Sequence, residues 1–137
     1  MLDEKDSRIS FRLLETIVYE DHRERRHDMN LANNLESSAI YFPERPAIRQ
    51  GDLEWTYGEL NERANKIATG LVKLGIKPGD FVGLCSTNSA DWIAFYYGAL
   101  KAGAVTATLS SLLTGDELAY LINHAKPRVL FTEPSKL

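Results

Sequence analysis

Leu71-Val72-Lys73-Leu74-Gly75-Ile76-Lys77-Pro78-Gly79-Asp80-Phe81-Val82-Gly83-Leu84-Cys85 is the stretch on which the fold turns. Gly75 fits the left-handed residue that follows a helix end, and Pro78-Gly79-Asp80 makes a turn. Phe81 to Cys85 is almost wholly apolar without strict alternation, as in a strand covered on both faces. Upstream, Thr56-Tyr57-Gly58-Glu59 has the spacing of a capping box, in which each side chain serves the other residue's amide. Leu60, Ala64, Ile67, Leu71 and Leu74 follow at spacings of four, three, four and three, predicting a helix with one buried face. Downstream, Asn88 or Ser89 caps a helix running to about Ala102. Its Ala94, Gly98 and Ala102 form a ridge of small residues suited to close packing. Gly103 ends it, and Ala104 to Leu109 reads as a strand. Thr114-Gly115-Asp116-Glu117 is a second capping box, opening a helix that buries Leu118, Leu121 and Ile122. Pro127 closes that helix, and Arg128 to Thr132 is a last strand. From Thr56 onward the order is α-β-α-β-α-β, which predicts an α/β fold: a parallel sheet with right-handed helical crossovers.

Ahead of Thr56, Asn30 is placed to cap a helix carrying Leu31, Leu35 and Ala39 on one face. Pro43 and Pro46 stop it. Ala47-Ile48-Arg49 and Leu53-Glu54-Trp55 flank Gln50-Gly51-Asp52 as a small β-hairpin. Residues 1–29 form a separate extension. Phe11, Leu14, Ile17 and Val18 recur at helical spacing, and Asp21 to Asp28 is dense in both signs of charge. The bland reading is a short helix with a polar arm; the sharper one is a docking or oligomerisation arm. N-terminal helices and a small hairpin thus precede the sheet, with the division falling between 1–29 and 30–137.

The chain has 137 residues, one domain by length. Its 16 basic and 19 acidic residues give a formal net charge of −3, so no strong field favours nucleic acid or an anionic membrane. The single cysteine, Cys85, excludes an intrachain disulfide and a cysteine-based metal cluster. No charge-free stretch reaches the ~20 residues that span a bilayer, so no transmembrane segment is expected. The polar N-terminus lacks the apolar region of a secretory signal, and the expectation is a cytoplasmic protein.

Residues that carry chemistry are sparse. The glycines between Gly70 and Gly79, and between Gly98 and Gly103, do not form a phosphate loop after a strand. They read as stops, turns and close packing. His22 and His27 are five apart, off the i,i+4 spacing of a helical metal pair. His124 lies near a helix end, where the dipole favours a cation. Cys85 reads as a small buried hydrophobe with no activating base in sight. Ser86, Ser89, Ser110 and Ser111 follow strand ends, where α/β proteins place ligands, but none sits in a nucleophile elbow. Trp92, Tyr96 and Tyr97 read as helix packing before a base-stacking platform. The helix starts at Thr56, Asn88 and Thr114 could each attract an anion weakly, the last lying beside Ser110 and Ser111. No residue is assigned as catalytic, cofactor-binding or metal-binding.

Several of these segments together resemble one family. Trp55 to Asn65, Leu74 to Val82, Asn88-Ser89 with Gly98 to Val105, and Asp116 to Ile122 with Arg128 to Phe131 match, in order, the opening segments of the adenylate-forming enzymes. Asn30-Leu31-Ala32 and Pro43 to Ile48 resemble the family's start. The loop at Thr108-Leu109-Ser110-Ser111 lacks the family's usual proline, and Thr87 stands where another is usual. The family comprises acyl-CoA synthetases, peptide-synthetase adenylation domains and luciferases. Its members convert a carboxylate and ATP to an acyl-adenylate and pyrophosphate, with Mg²⁺, usually then acylating a thiol.

The resemblance implies that 30–137 is the first part of the large N-terminal domain of such a ligase, an incomplete N-terminal part of the fold. Trp92 to Gly98 looks more like an acyl-CoA synthetase, implying ATP, Mg²⁺ and CoA for a full-length parent acting on a carboxylic acid, a fatty acid first. The family's phosphate loop, adenine pocket, ribose-binding aspartate and catalytic lysine all lie downstream, so no cofactor is expected on this chain and no activity from it alone. The expected partner is the rest of its own domain or a second copy, because the last strand would otherwise leave the sheet open. The alternatives are a fragment of an amino-acid adenylation domain and a non-enzymatic interaction module.

Overall fold

The computed structural model describes residues 30–133. In chain order the elements are α1 (Ala32–Tyr41), β1 (Pro46–Gln50), β2 (Leu53–Thr56), α2 (Tyr57–Lys73), β3 (Phe81–Cys85), α3 (Ala90–Lys101), β4 (Val105–Thr108), α4 (Gly115–Ala125) and β5 (Val129–Thr132). β1 and β2 are an antiparallel hairpin around Gly51, whose φ of 58° would strain a residue with a Cβ. The other three strands form a parallel sheet in the order β4-β3-β5. The chain leaves β3 for β4 on one side, then crosses back to β5 on the other. β3 is therefore central, and its burial on both faces explains the unbroken apolar run from Val82 to Cys85.

The helix ends follow their chemistry. Thr56 Oγ1 accepts the Glu59 amide at 3.2 Å while Glu59 accepts the Thr56 amide at 2.9 Å. Thr114 and Glu117 repeat the arrangement at α4. At the far end of α2, Gly75 is left-handed, and its amide and that of Ile76 return to the carbonyls of Val72 and Leu71. Gly103 does the same for α3. Asp80 fastens the next turn: its carboxylate accepts the Lys77 amide at 2.8 Å and pairs with Arg128 at 3.1 Å, tying the entry of β3 to that of β5.

Two apolar clusters share Ile67 as a border. One places Leu71, Phe95 and Ala99 of α2 and α3 on Val82 and Leu84 of the sheet. The other joins Leu35, Ile48 and Trp55 to Leu60, Ala64 and Ala94. The small-residue ridge does what its composition predicts: Gly98 lies against Ile67, with no room for a Cβ between the helices.

Three local expectations change. Ala32 and Leu35 are the residues α1 buries, while Leu31 precedes the helix and is 46% exposed. Asn30 does accept the Ala32 amide, at 2.9 Å, and its amide group also donates to the Leu100 carbonyl at 2.9 Å, pinning the start of α1 to α3. Leu74 fits the helical period but caps α2 and is 72% exposed. α4 ends on Lys126 in the left-handed region (φ 46°), not on glycine. Pro127 forbids another helical turn, and the Arg128 amide already bonds to the Phe81 carbonyl, so the reversal must occur within one residue.

Candidate functional site

The carboxyl ends of β3, β4 and β5 gather most of the hydroxyl groups that the sequence nominates. Glu133, directly after β5, stands beside the turn that leaves β3. One of its carboxylate oxygens accepts the Thr87 amide at 2.5 Å, the Thr87 hydroxyl at 2.6 Å and the Ser86 hydroxyl at 3.1 Å. The parallel register sets this up: Cys85 is the partner of Thr132, so the next residues emerge side by side. Glu133 has no motif around it, and only the strand register reveals it.

The other nominated residues are not brought together into a reacting constellation. Ser89 caps α3 by accepting the Trp92 amide at 3.1 Å. Ser110 accepts the Leu112 amide at 3.2 Å, which shapes its own turn. Ser111 lies in that same turn. Cys85 is buried, with Sγ 3.6 Å from the Ser110 carbonyl and no base beside it. His124 stacks on Tyr120, ring centroids 6.3 Å apart. Trp92 and Tyr96 stack at 5.5 Å and pack against the sheet cluster, as helix-packing residues should. His22, His27 and the Phe11 to Val18 set lie outside the described residues.

The helix starts are less available to anions than their sequence suggests. At α2 the first three amides are taken: Tyr57 by the Arg45 carbonyl, Gly58 by the Pro43 carbonyl, Glu59 by Thr56. At α3, the Ala90 amide donates to Gln50 at 3.0 Å and the Trp92 amide to Ser89. Glu117, fully exposed, supplies the negative charge that α4's start prefers. The Thr114 amide and hydroxyl that it accepts hold its carboxyl below the usual carboxylate range.

Among the described residues, no three or more of His, Cys, Asp and Glu converge to hold a metal ion. The glycines at Gly75, Gly79 and Gly103 serve turns and helix stops. These residues do not fit a Mg²⁺-nucleotide site, since neither a metal-ligating cluster nor a run of free amides is present. No described helix is long and apolar enough to cross a membrane.

A different kind of feature lies between α1, the hairpin, α2 and α3. A cavity of about 320 Å³ is walled by Leu35, Ile48, Leu60 and Ile93, with Tyr57 and Tyr97 among its remaining lining residues. Burial, with Tyr96 and Tyr57 adding to it, pushes the Tyr97 hydroxyl above the usual phenol range.

Comparison with known proteins identifies the company this fold keeps. The model of the family described as AMP-binding enzyme matches residues 35–137. The dimodular nonribosomal peptide synthase of Bacillus subtilis is 35% identical over 104 residues, 76% of this chain and 4% of that protein. The acyl-CoA ligase sidI of Aspergillus fumigatus is 35% identical over 80 residues, 58% of this chain and 14% of that one. Among solved structures, the anthranilate CoA ligase AuaEII in complex with anthranoyl-AMP superimposes with a TM-score of 0.74 at 28% identity, over 77% of this chain and 20% of its own. The chain thus spans a small part of each of these relatives. Its architecture is the N-terminal part of the fold they share.

Proposed function

The chain belongs to the AMP-binding enzyme family, and from that premise we propose that it serves as the structural opening of an enzyme that activates a carboxylic acid with ATP. The product is an acyl-adenylate, with pyrophosphate released. The observation that carries this reading is the family match over 35–137, laid on a sheet and helix order shared with a CoA ligase. For the acyl acceptor we favour CoA, with a fatty or other non-amino carboxylic acid as substrate. The likeness to solved CoA ligases and the aromatic run Trp92 to Gly98 support it. Amino-acid activation is a second reading, favoured by the 35% identity to a nonribosomal peptide synthase over three quarters of the chain.

The part played by 30–133 is to build the sheet and close its helix ends. No described residue is assigned a chemical step, in keeping with the absence of a Mg²⁺-nucleotide constellation among them. We place the remainder of the domain against the α4 side, where Leu112 is 90% and Tyr120 70% exposed. A monodisperse monomer at high concentration in light scattering would count against that placement.

Carboxylate-dependent exchange of labelled pyrophosphate into ATP tests the activity on the enzyme that contains this segment. Fatty acids and amino acids are compared, then loss of the free CoA thiol is followed. Exchange with fatty acids and thiol loss is the expected result. Exchange with amino acids alone selects the second reading, and exchange with neither overturns both. Residues 1–137 by themselves are expected to show no exchange and no micromolar binding of Mg·ATP by calorimetry.

A further inference from the structure

We infer that the cavity between α1, the hairpin, α2 and α3 is a binding site for a small neutral aromatic molecule carrying a hydrogen-bonding group. Its volume of about 320 Å³ falls at the lower end of the range for small-ligand sites. The walls are apolar, from Leu35, Ile48, Leu60 and Ile93, and three of these four are core residues. Among the described residues, neither the Tyr57 nor the Tyr97 hydroxyl has a hydrogen-bond partner, although both side chains are partly buried. Buried phenol hydroxyls ordinarily find one. An apolar box with a pair of uncommitted hydroxyls is the pattern of a site that orients a mostly hydrophobic guest by one or two hydrogen bonds.

The charge of the guest follows from the lining. None of the nine residues that line the cavity is charged. A carboxylate or phosphate placed there would lose its water with no cation to replace it, a cost that excludes anions of the same size. A neutral ring meets no such cost, and the tyrosine rings offer it offset or edge-on contact. Tyr96 already meets Tyr97 edge-on, with centroids 5.9 Å apart, which fixes the Tyr97 ring for a guest.

Nuclear magnetic resonance on the 137-residue chain, with phenol and indole as probes and benzoate as the charged comparison, tests the site. Phenol and indole are expected to give saturable shifts at the amides of Ile48, Leu60 and Ile93, with dissociation constants of roughly 0.1–1 mM, the scale for ligands of so few atoms. Benzoate is expected to bind at least about tenfold more weakly, by the desolvation argument above. Tyr97→Phe should weaken phenol by about three- to tenfold while leaving toluene unchanged, a split that mere loosening of the fold would not produce. Ser38→Trp, on the α1 side of the cavity, should abolish saturation while the spectrum stays dispersed. Ala47→Phe occludes it from β1 should the first variant unfold. Non-saturating shifts, equal binding of benzoate and phenol, or undiminished binding in a folded occluded variant would each overturn the inference.

Discussion

Gly98→Ala is a small change aimed at the contact between α2 and α3. Helix propensity alone favours alanine by up to about 1 kcal/mol, since glycine loses more backbone freedom on folding. The structure opposes it. A Cβ on residue 98 would lie 2.5 Å from Ile67 Cγ2, 2.7 Å from Ile67 Cβ and 3.0 Å from the Ala64 carbonyl oxygen. Ile67 Cβ and the Ala64 oxygen cannot rotate away, and a β-branched side chain in a helix has one strongly preferred rotamer. Restoring carbon contacts to the ordinary ~3.5 Å requires the helices to part by about 1 Å. Overpacking of this kind costs about 1–3 kcal/mol, and rigid obstacles place this site at the upper end. After the propensity gain, a net loss of about 1–2 kcal/mol is expected. Ile67 borders both apolar clusters, so the displacement loosens both. Urea unfolding followed by circular dichroism is the assay, with a midpoint lowered by about 0.5–1 M at unchanged slope. Gly70→Ala is the internal reference. It sits in α2 with nothing within 4 Å of a new Cβ, so propensity acts alone and should raise stability by about 0.5–1 kcal/mol. Were Gly98→Ala as stable as Gly70→Ala, the close approach of the helices would be refuted.

The remaining expectations concern the helix ends. Thr56→Ala and Thr114→Ala should each cost about 1 kcal/mol in the same urea assay, because each removes an oxygen that holds an otherwise unpaired amide. Lys126→Gly should raise the urea midpoint by the equivalent of about 1 kcal/mol, since φ 46° strains any residue with a Cβ. Glu117 has its folded pKa depressed by the Thr114 amide and hydroxyl, so its contribution is present above the unfolded carboxylate value and lost as pH falls through the lower folded one. The Thr114 amide resonance should shift with that titration, and the step should vanish in Glu117→Gln.

Element order and type were legible because each boundary carries local chemistry. Two capping boxes, two left-handed glycines and a double-sided apolar strand are written within a few residues of the place they act. The errors arose where a tertiary contact decides. Leu74 fits the period of α2, yet the turn at Gly75 has already carried the chain off the helix, so its side chain meets solvent. Lys126 takes a glycine's conformation because Pro127 and the Phe81 carbonyl leave one residue for the reversal, and no propensity scale for lysine anticipates that. Asp80 looks like a turn residue, and its second role at Arg128 spans 48 positions.

The same distinction explains the candidate sites. Hydroxyls at strand ends suggest ligand chemistry by position, but position does not say whether a donor is already engaged. Ser86 and Thr87 donate to Glu133, Ser89 accepts from the helix it caps, and Ser110 accepts from its own turn. Each is occupied within the fold, so the strand ends are tied together, not held open for a guest. The two tyrosines lie 40 positions apart on different helices, and nothing in the residues around either marks it. Their hydroxyls are uncommitted while the serines are engaged, because the cavity is created where α1 and the hairpin fold over α2 and α3. A polar group with no internal partner, held against apolar walls, is the condition under which binding a guest gains a hydrogen bond without first breaking one.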